Sequence, residues 1–381
     1  MSRAQAESLC RAFADFRPTL VEESLSDFSK LRFGSATFCQ VAPRGAGVVS
    51  QIVQSAYARG IPVRIRAQGH SLNGATLPDS GELLLTTANF RGVRFEEPET
   101  VTVGCGVVLW ILQYILRQHG FDLPVLNDGY PGPTVGGYIA AGGFGPRSGV
   151  YGGFWDNVLE VTVVDGQGTL RRVTADDPLF PWLFGSMGQL GIFVNAKLAV
   201  IPRPDRSQAP YPAGQTLVAP QLAGPRVPAE FATQGDESLF WFTLFVADEH
   251  LAPALRELAD LERGHAGALR FQQRYQYAIR HRGRVAPLIY PDARPFTATG
   301  AWGWLGDRTP DRIARLFDFD RDFMAIVASK PHYRRYVQSE LASGPDVYSR
   351  CFGLTTYAAF RRVKSELDPK SLLNRGSVFP D

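Results

Sequence analysis

Apolar positions recur at helical spacing in some stretches of the chain and alternate with polar ones in others. Leu9, Cys10 and Phe13 share one helix face, and Val48, Val49, Ile52, Val53 and Ala56 share another ahead of Gly60, which suits a helix C-cap. Residues 62–67 then alternate with period two and break into Gly69-His70-Ser71-Leu72-Asn73-Gly74, a strand running into a loop. Strands are predicted at 83–86 and 101–103, an amphipathic helix at 107–119 stopped by Gly120, a hairpin over 158–173 turning at Asp165-Gly166-Gln167-Gly168, and a strand at 190–201. Asp177-Pro178 opens a short helix between them. Further along, 238–246 reads as a buried strand, Leu251, Leu255, Leu258 and Leu261 as a helix, and 269–279 as an alternating strand. Tyr357, Phe360 and Val363 mark a last helix closed by Asp368-Pro369.

Two stretches break these patterns. Residues 127–153 hold ten glycines, where the backbone can take positive φ and approach a ligand closely. Prolines crowd 202–228, the best candidate for a boundary between two lobes. A length of 381 residues fits that division, being more than one core usually holds.

With 40 Lys and Arg against 37 Asp and Glu, the net charge of +3 gives no basic field, so nucleic acid is not expected as a partner. The four cysteines are scattered without a CxxC pair or Cys/His spacing, which predicts free thiols in a reducing cytoplasm and no metal. Charged residues interrupt residues 1–16, unlike a signal peptide core, and no window is apolar enough for a membrane span. Phosphate-loop, HExxH, GxSxG and strand-linked GxGxxG signatures are absent, which lowers hydrolase and Rossmann readings. What remains is a set of glycine-rich loops able to aim N–H groups at phosphate. Read alone, His70 in the first of them is more readily a surface or capped histidine, with Gly69 making a turn, than a ligand.

Taken in order, Arg66-Ala67-Gln68-Gly69-His70-Ser71, Thr134-Val135-Gly136-Gly137, Asn157-Val158-Leu159-Glu160-Val161 with its hairpin, Phe184 to Ile192, and the closing Leu367 to Gly376 resemble the PCMH-type FAD-binding fold of the vanillyl-alcohol oxidase, cytokinin dehydrogenase and berberine-bridge-like flavoproteins. The resemblance spans about 1–200 and 333–381. It implies an α+β, two-lobed fold: an FAD-binding domain over 1–204, an inserted short antiparallel-sheet substrate lobe over 205–332, and a segment over 333–381 that returns to the first lobe. It also implies that the loop Ala67 to Ser71 wraps the FAD pyrophosphate and that His70 is bonded to the flavin's 8α-methyl carbon. Further cofactor contacts are implied for Arg66, Gln68, Gly69, Thr134, Gly136, Gly137, Ala140, Phe144, Ile192, Asn374 and Ser377. With no cysteine in 127–153, one covalent link is the most expected.

Asp128 resembles the aspartate that takes the substrate proton in cytokinin dehydrogenases, with Tyr130 and Tyr336 as competing polar groups; read alone, Asp128 is a turn residue and Tyr336 an ordinary structural tyrosine. In the second lobe, Trp241, Phe245, Tyr275, Tyr277, Trp302 and Trp304 suit a flat, mostly apolar wall, with Arg274 and Gln276 orienting a polar substrate, although sheet core and a solvated face explain each singly. The expected activity is hydride removal from a small or polycyclic molecule, with dioxygen or another acceptor taking the electrons, by a cytoplasmic monomer or homodimer of secondary metabolism. Non-redox cyclisation or isomerisation on the same fold, or a flavin-free binding protein, are the rivals.

Overall fold

The computed structural model describes residues 1–96, 99–127, 132–203, 213–221, 238–280, 282–290, 295–339, 341 and 345–376. Among them the strands form sheets of four, six and four strands and one two-stranded pair. The first sheet runs Thr19–Val21, Phe38–Val41, Leu83–Thr86, Val63–Arg66, and its last three strands are parallel. Parallel neighbours need a crossover, and helix Ala46–Arg59 supplies it by burying Val49, Ile52, Val53 and Ala56. It stops where Gly60 takes a φ of +66°, as its sequence predicts. Val48, one position off the buried stripe, is 40% exposed.

The second sheet is antiparallel throughout, in the order Thr216–Val218, Gly92–Glu96, Thr100–Gly104, Ile192–Ala199, Val158–Val164, Leu170–Thr174. The predicted hairpin is its far edge: Asp165 accepts from the Gln167 and Thr169 N–H groups at 3.0 and 2.9 Å, and Gly168 turns at φ +82°. The glycine-rich stretch is more ordered than its composition suggests. It contains the short helices Val135–Ala141, packed on the second sheet, and Ser148–Tyr151, and a third, Phe154–Asn157, follows it directly.

The third sheet, Arg270–Ile279, Phe296–Trp304, Leu239–Ala247, Tyr333–Arg335, is also antiparallel. Helices Leu251–His265 and Pro310–Ala328 back one face, where Phe240, Phe242 and Phe271 meet Phe319. The other face carries Trp241, Tyr275, Tyr277 and Trp302 towards the first two sheets. Because Tyr333–Arg335 still pairs with Leu239–Ala247, the chain returns to the first sheet later than residue 333. The return comes beside Val63, whose N–H donates to the Leu372 carbonyl at 2.9 Å while the Asn374 N–H donates to the Val63 carbonyl at 3.0 Å. Most of the proline-rich stretch lies outside the described residues. Among the described residues no helix is long and apolar enough to cross a membrane, and no cluster could hold a metal ion.

Candidate functional site

A cleft of about 1300 Å³, its open mouth included, is lined from the sides of all three sheets. One loop, one short helix and one sheet face make its main walls.

The first wall is the loop after strand Val63–Arg66. Gly69 turns it at φ +77°, and a Cβ there would lie 2.2 Å from the Arg66 guanidinium. Arg66 itself does not line the cleft: it reaches back to Thr76 Oγ1 at 3.1 Å and the Ser26 carbonyl at 3.2 Å, bracing the loop from behind. The N–H groups of Ala67, Gly69, His70, Ser71 and Leu72 donate to no backbone carbonyl among the described residues. Successive amides of this kind form a concavity that binds anions, so the loop fits a pyrophosphate without a cation. Gln68, His70 and Ser71 line the same wall.

His70 lies with its ring stacked on Phe28, centroids 4.2 Å apart and planes 18° from parallel. Burial pushes its imidazole down to about 4, so it is neutral at pH 7. Two backbone ties hold the stack: the Phe28 N–H donates to the Ser71 carbonyl at 2.8 Å, and Gln338 Nε2 donates to the His70 carbonyl at 3.4 Å.

The second wall is helix Val135–Ala141, capped by Thr134, whose Oγ1 accepts from the Gly137 N–H at 3.2 Å. A Cβ on Gly136 would lie 2.8 Å from Cys105 Cβ, so the glycine lets the helix sit directly against the second sheet. Thr134, Gly136, Gly137, Ala140 and Phe144 all line the cleft. Asn374 lines it too, but its side chain works as a brace: Oδ1 accepts from the Ile65 N–H and Nδ2 donates to the Met187 carbonyl, both at 2.8 Å. Ile192 is fully buried in the core beneath the first sheet, and the neighbouring Gly191 faces the cleft instead.

The aromatic wall is held by its own contacts. Trp241 and Trp302 are parallel at 5.0 Å, and Trp241 Nε1 donates to the Tyr275 hydroxyl at 2.7 Å. Tyr336 is 3% exposed, set edge-on to Phe144 at 5.1 Å and Trp241 at 5.2 Å, and burial pushes its phenol up. Arg274 is on the far face of its strand, ion-paired with Glu262 of helix Leu251–His265. Adjacent strand residues point to opposite faces, so Tyr275 and Arg274 cannot share one wall, which corrects the sequence expectation that grouped them. Asp128, Tyr130 and Ser377 lie outside the described residues.

Phe28 and Gln338 are site residues that sequence reasoning missed, because neither sits in a recognisable motif. Among the described residues, the cleft lining includes no Asp, Glu, Lys or Arg. The described lining therefore offers backbone dipoles, aromatic faces, neutral polar side chains such as Gln68, Ser71 and Gln338, and one neutral imidazole.

A family model described as an FAD binding domain matches residues 39–174. An uncharacterised oxidoreductase of the fasciation locus of Rhodococcoides fascians is 34% identical over 163 residues, 42% of this chain and 36% of that protein. Cytokinin dehydrogenase 5 of Arabidopsis thaliana is 31% identical over 191 residues, 48% of this chain and 35% of its own length. Reticuline oxidase of Eschscholzia californica is 29% identical over 148 residues, 38% of this chain and 28% of its own. The chain thus spans about a third of the length of the curated relatives it matches. Residues 39–174, which carry much of the first two sheets, thus match an FAD-binding domain, and the chain is similar to cytokinin dehydrogenase and reticuline oxidase, which are PCMH-type FAD flavoproteins.

Proposed function

We propose that the protein is an FAD-dependent oxidoreductase with the flavin attached to His70, taking a hydride from a C–H bond next to an oxygen or nitrogen of a small or polycyclic substrate. Dioxygen or another acceptor then takes the electrons. One observation carries the reading: a single cleft joins unengaged loop amides, a neutral imidazole and an aromatic wall. Bound FAD supplies the two-electron acceptor. The amides of Ala67 and of residues 69–72 would hold the pyrophosphate by donating hydrogen bonds to its oxygens. Gly136, Gly137 and Ala140 leave room for close backbone approach on the opposite wall.

A neutral imidazole keeps the lone pair that a bond to the flavin requires, and the Phe28 stack limits its rotation. Trp241, Trp302 and Tyr275 orient a flat substrate and exclude water. A phenol held protonated, as in Tyr336, supports donation of a hydrogen bond rather than acceptance of a proton. Asp128 or Tyr130 then takes the proton. Residues 1–204, together with strand Thr216–Val218 that pairs in the second sheet, serve as the FAD-binding domain and the rest of 205–332 as the substrate lobe, with the chain returning to the first inside 333–381.

The visible spectrum of the purified protein, repeated on the acid-precipitated pellet, tests this. A yellow pellet is expected from the wild type, with His70→Ala releasing its colour to the supernatant. Colour released by the wild type as well removes the covalent bond and keeps the flavin. Colourless protein made with ample flavin overturns the whole reading.

A further inference from the structure

Cys10 and Cys39 are far apart in the sequence, yet the fold brings their sulfurs to 2.6 Å. Cys10 projects from helix Arg3–Ala12 and Cys39 from strand Phe38–Val41, and the helix packs on that strand through Leu9, with Phe13 just beyond its end in the same core. The separation is well inside ordinary sulfur contact and only a small side-chain movement from a bond. Neither thiol belongs to the cleft, and neither is bonded. Cys10 is partly exposed, whereas Cys39 is buried, so a reagent reaches the pair from the Cys10 side.

We propose that Cys10 and Cys39 are a dithiol modification site, oxidised to an intramolecular disulfide by a low-molecular-weight disulfide. The Cys10 thiolate attacks one sulfur of the reagent, making a mixed disulfide and expelling one reagent thiolate. The Cys39 thiolate then attacks Cys10 Sγ and expels the second. Two protein thiols give up two protons and two electrons, and the reagent disulfide takes them up as two thiols.

The bond closes a loop over residues 11–38, which contains the segment that covers His70. Within that loop Phe28 stacks on His70, and the Ser29 carbonyl accepts from the Leu239 N–H at 3.0 Å, tying the segment to the third sheet. Oxidation therefore fastens the covering segment at its two ends. This consequence leans on the flavin reading, but the bond itself does not.

The full-length protein is incubated to equilibrium with oxidised glutathione at mildly alkaline pH, which offsets the upward push of burial on the Cys39 thiol. Thiols are counted after denaturation, and peptides are mapped by mass spectrometry without reduction. The expected result is a fall from four thiols to two, a peptide pair joined through Cys10 and Cys39, and a melting midpoint raised by a few degrees that dithiothreitol reverses. Cys10→Ser should keep all its remaining thiols, while Cys105→Ser should still lose two. Four thiols surviving in the wild type, a stable glutathione adduct on Cys10, or a bond joining any other pair overturns the proposal. None of these outcomes depends on whether flavin is bound.

Discussion

Asp27 shows how one side chain near the site carries a cost of its own. It is 2% exposed; its Oδ1 accepts from Ser29 Oγ at 2.7 Å, and Oδ2 has no partner among the described residues. Burial pushes its carboxyl up to about 6, with the Ser29 hydrogen bond and the Arg32 charge pulling the other way. A raised carboxyl favours the fold when protonated, so its contribution is complete below about 4, the ordinary carboxyl value, and is lost as pH rises through about 6. Asp27→Asn should thus be more stable than the wild type at pH 8 by about 3 kcal/mol and equal to it below pH 4, a difference that urea titrations at the two pH values read directly. At this scale the sequence was legible where function sits in one contiguous run. His70 stands in a loop whose neighbours announce it, whereas Phe28, which stacks on it, arrives from a distant segment with no pattern of its own. Cys10 and Cys39 looked scattered for the same reason.

At the scale of elements, helices and half-buried strands were the readable part. The helix ending at Gly60 and the alternating strand Arg270–Ile279 both show their period plainly. Strand Phe296–Trp304 did not, although it lies at the centre of the third sheet. It is buried on both faces, so no alternation appears, and Gly300 and Gly303 lower its apparent strand propensity. Both glycines are required by packing, since a Cβ would lie 2.0 Å from the Phe242 carbonyl or 2.1 Å from the Phe240 ring. The sheet's outer strand Tyr333–Arg335 is fixed differently, by a buried ion pair from Arg335 to Asp320 of helix Pro310–Ala328. The Arg335 side chain has no exposure and Asp320 only 3%, so removing one partner leaves a charge with too few ligands. Asp320→Ala should cost about 3 to 5 kcal/mol in denaturant unfolding, while Asp318→Ala, an exposed carboxylate on the same helix, should change stability by less than about 1 kcal/mol.

For the whole molecule, the cleft exists because distant parts of one chain meet, and the closing segment is the meeting point on the flavin side. Lys364 Nζ donates to the Gln189 carbonyl at 2.8 Å and the Leu373 carbonyl at 3.1 Å, and pairs with Asp368 at 2.6 Å. The Asp368 carboxylate, with no exposure, also accepts from the Leu372 and Leu373 N–H groups at 3.0 and 2.8 Å. Those bonds present Leu373 to the first sheet and Asn374 to the strand and turn that flank the cleft. Asp368→Ala removes the acceptor of two amides and one ammonium together, so the return segment loses its anchor at a cost of about 3 to 5 kcal/mol. The loss should be local, because the third sheet is held by its own strands and helices. Hydrogen exchange is therefore expected to quicken along 63–66 and 372–374 in this variant, with amides of Phe296–Trp304 keeping wild-type protection. Equal quickening in both places would instead make the two sides of the cleft a single cooperative unit, with the closing segment acting on the aromatic wall as strongly as on the flavin loop.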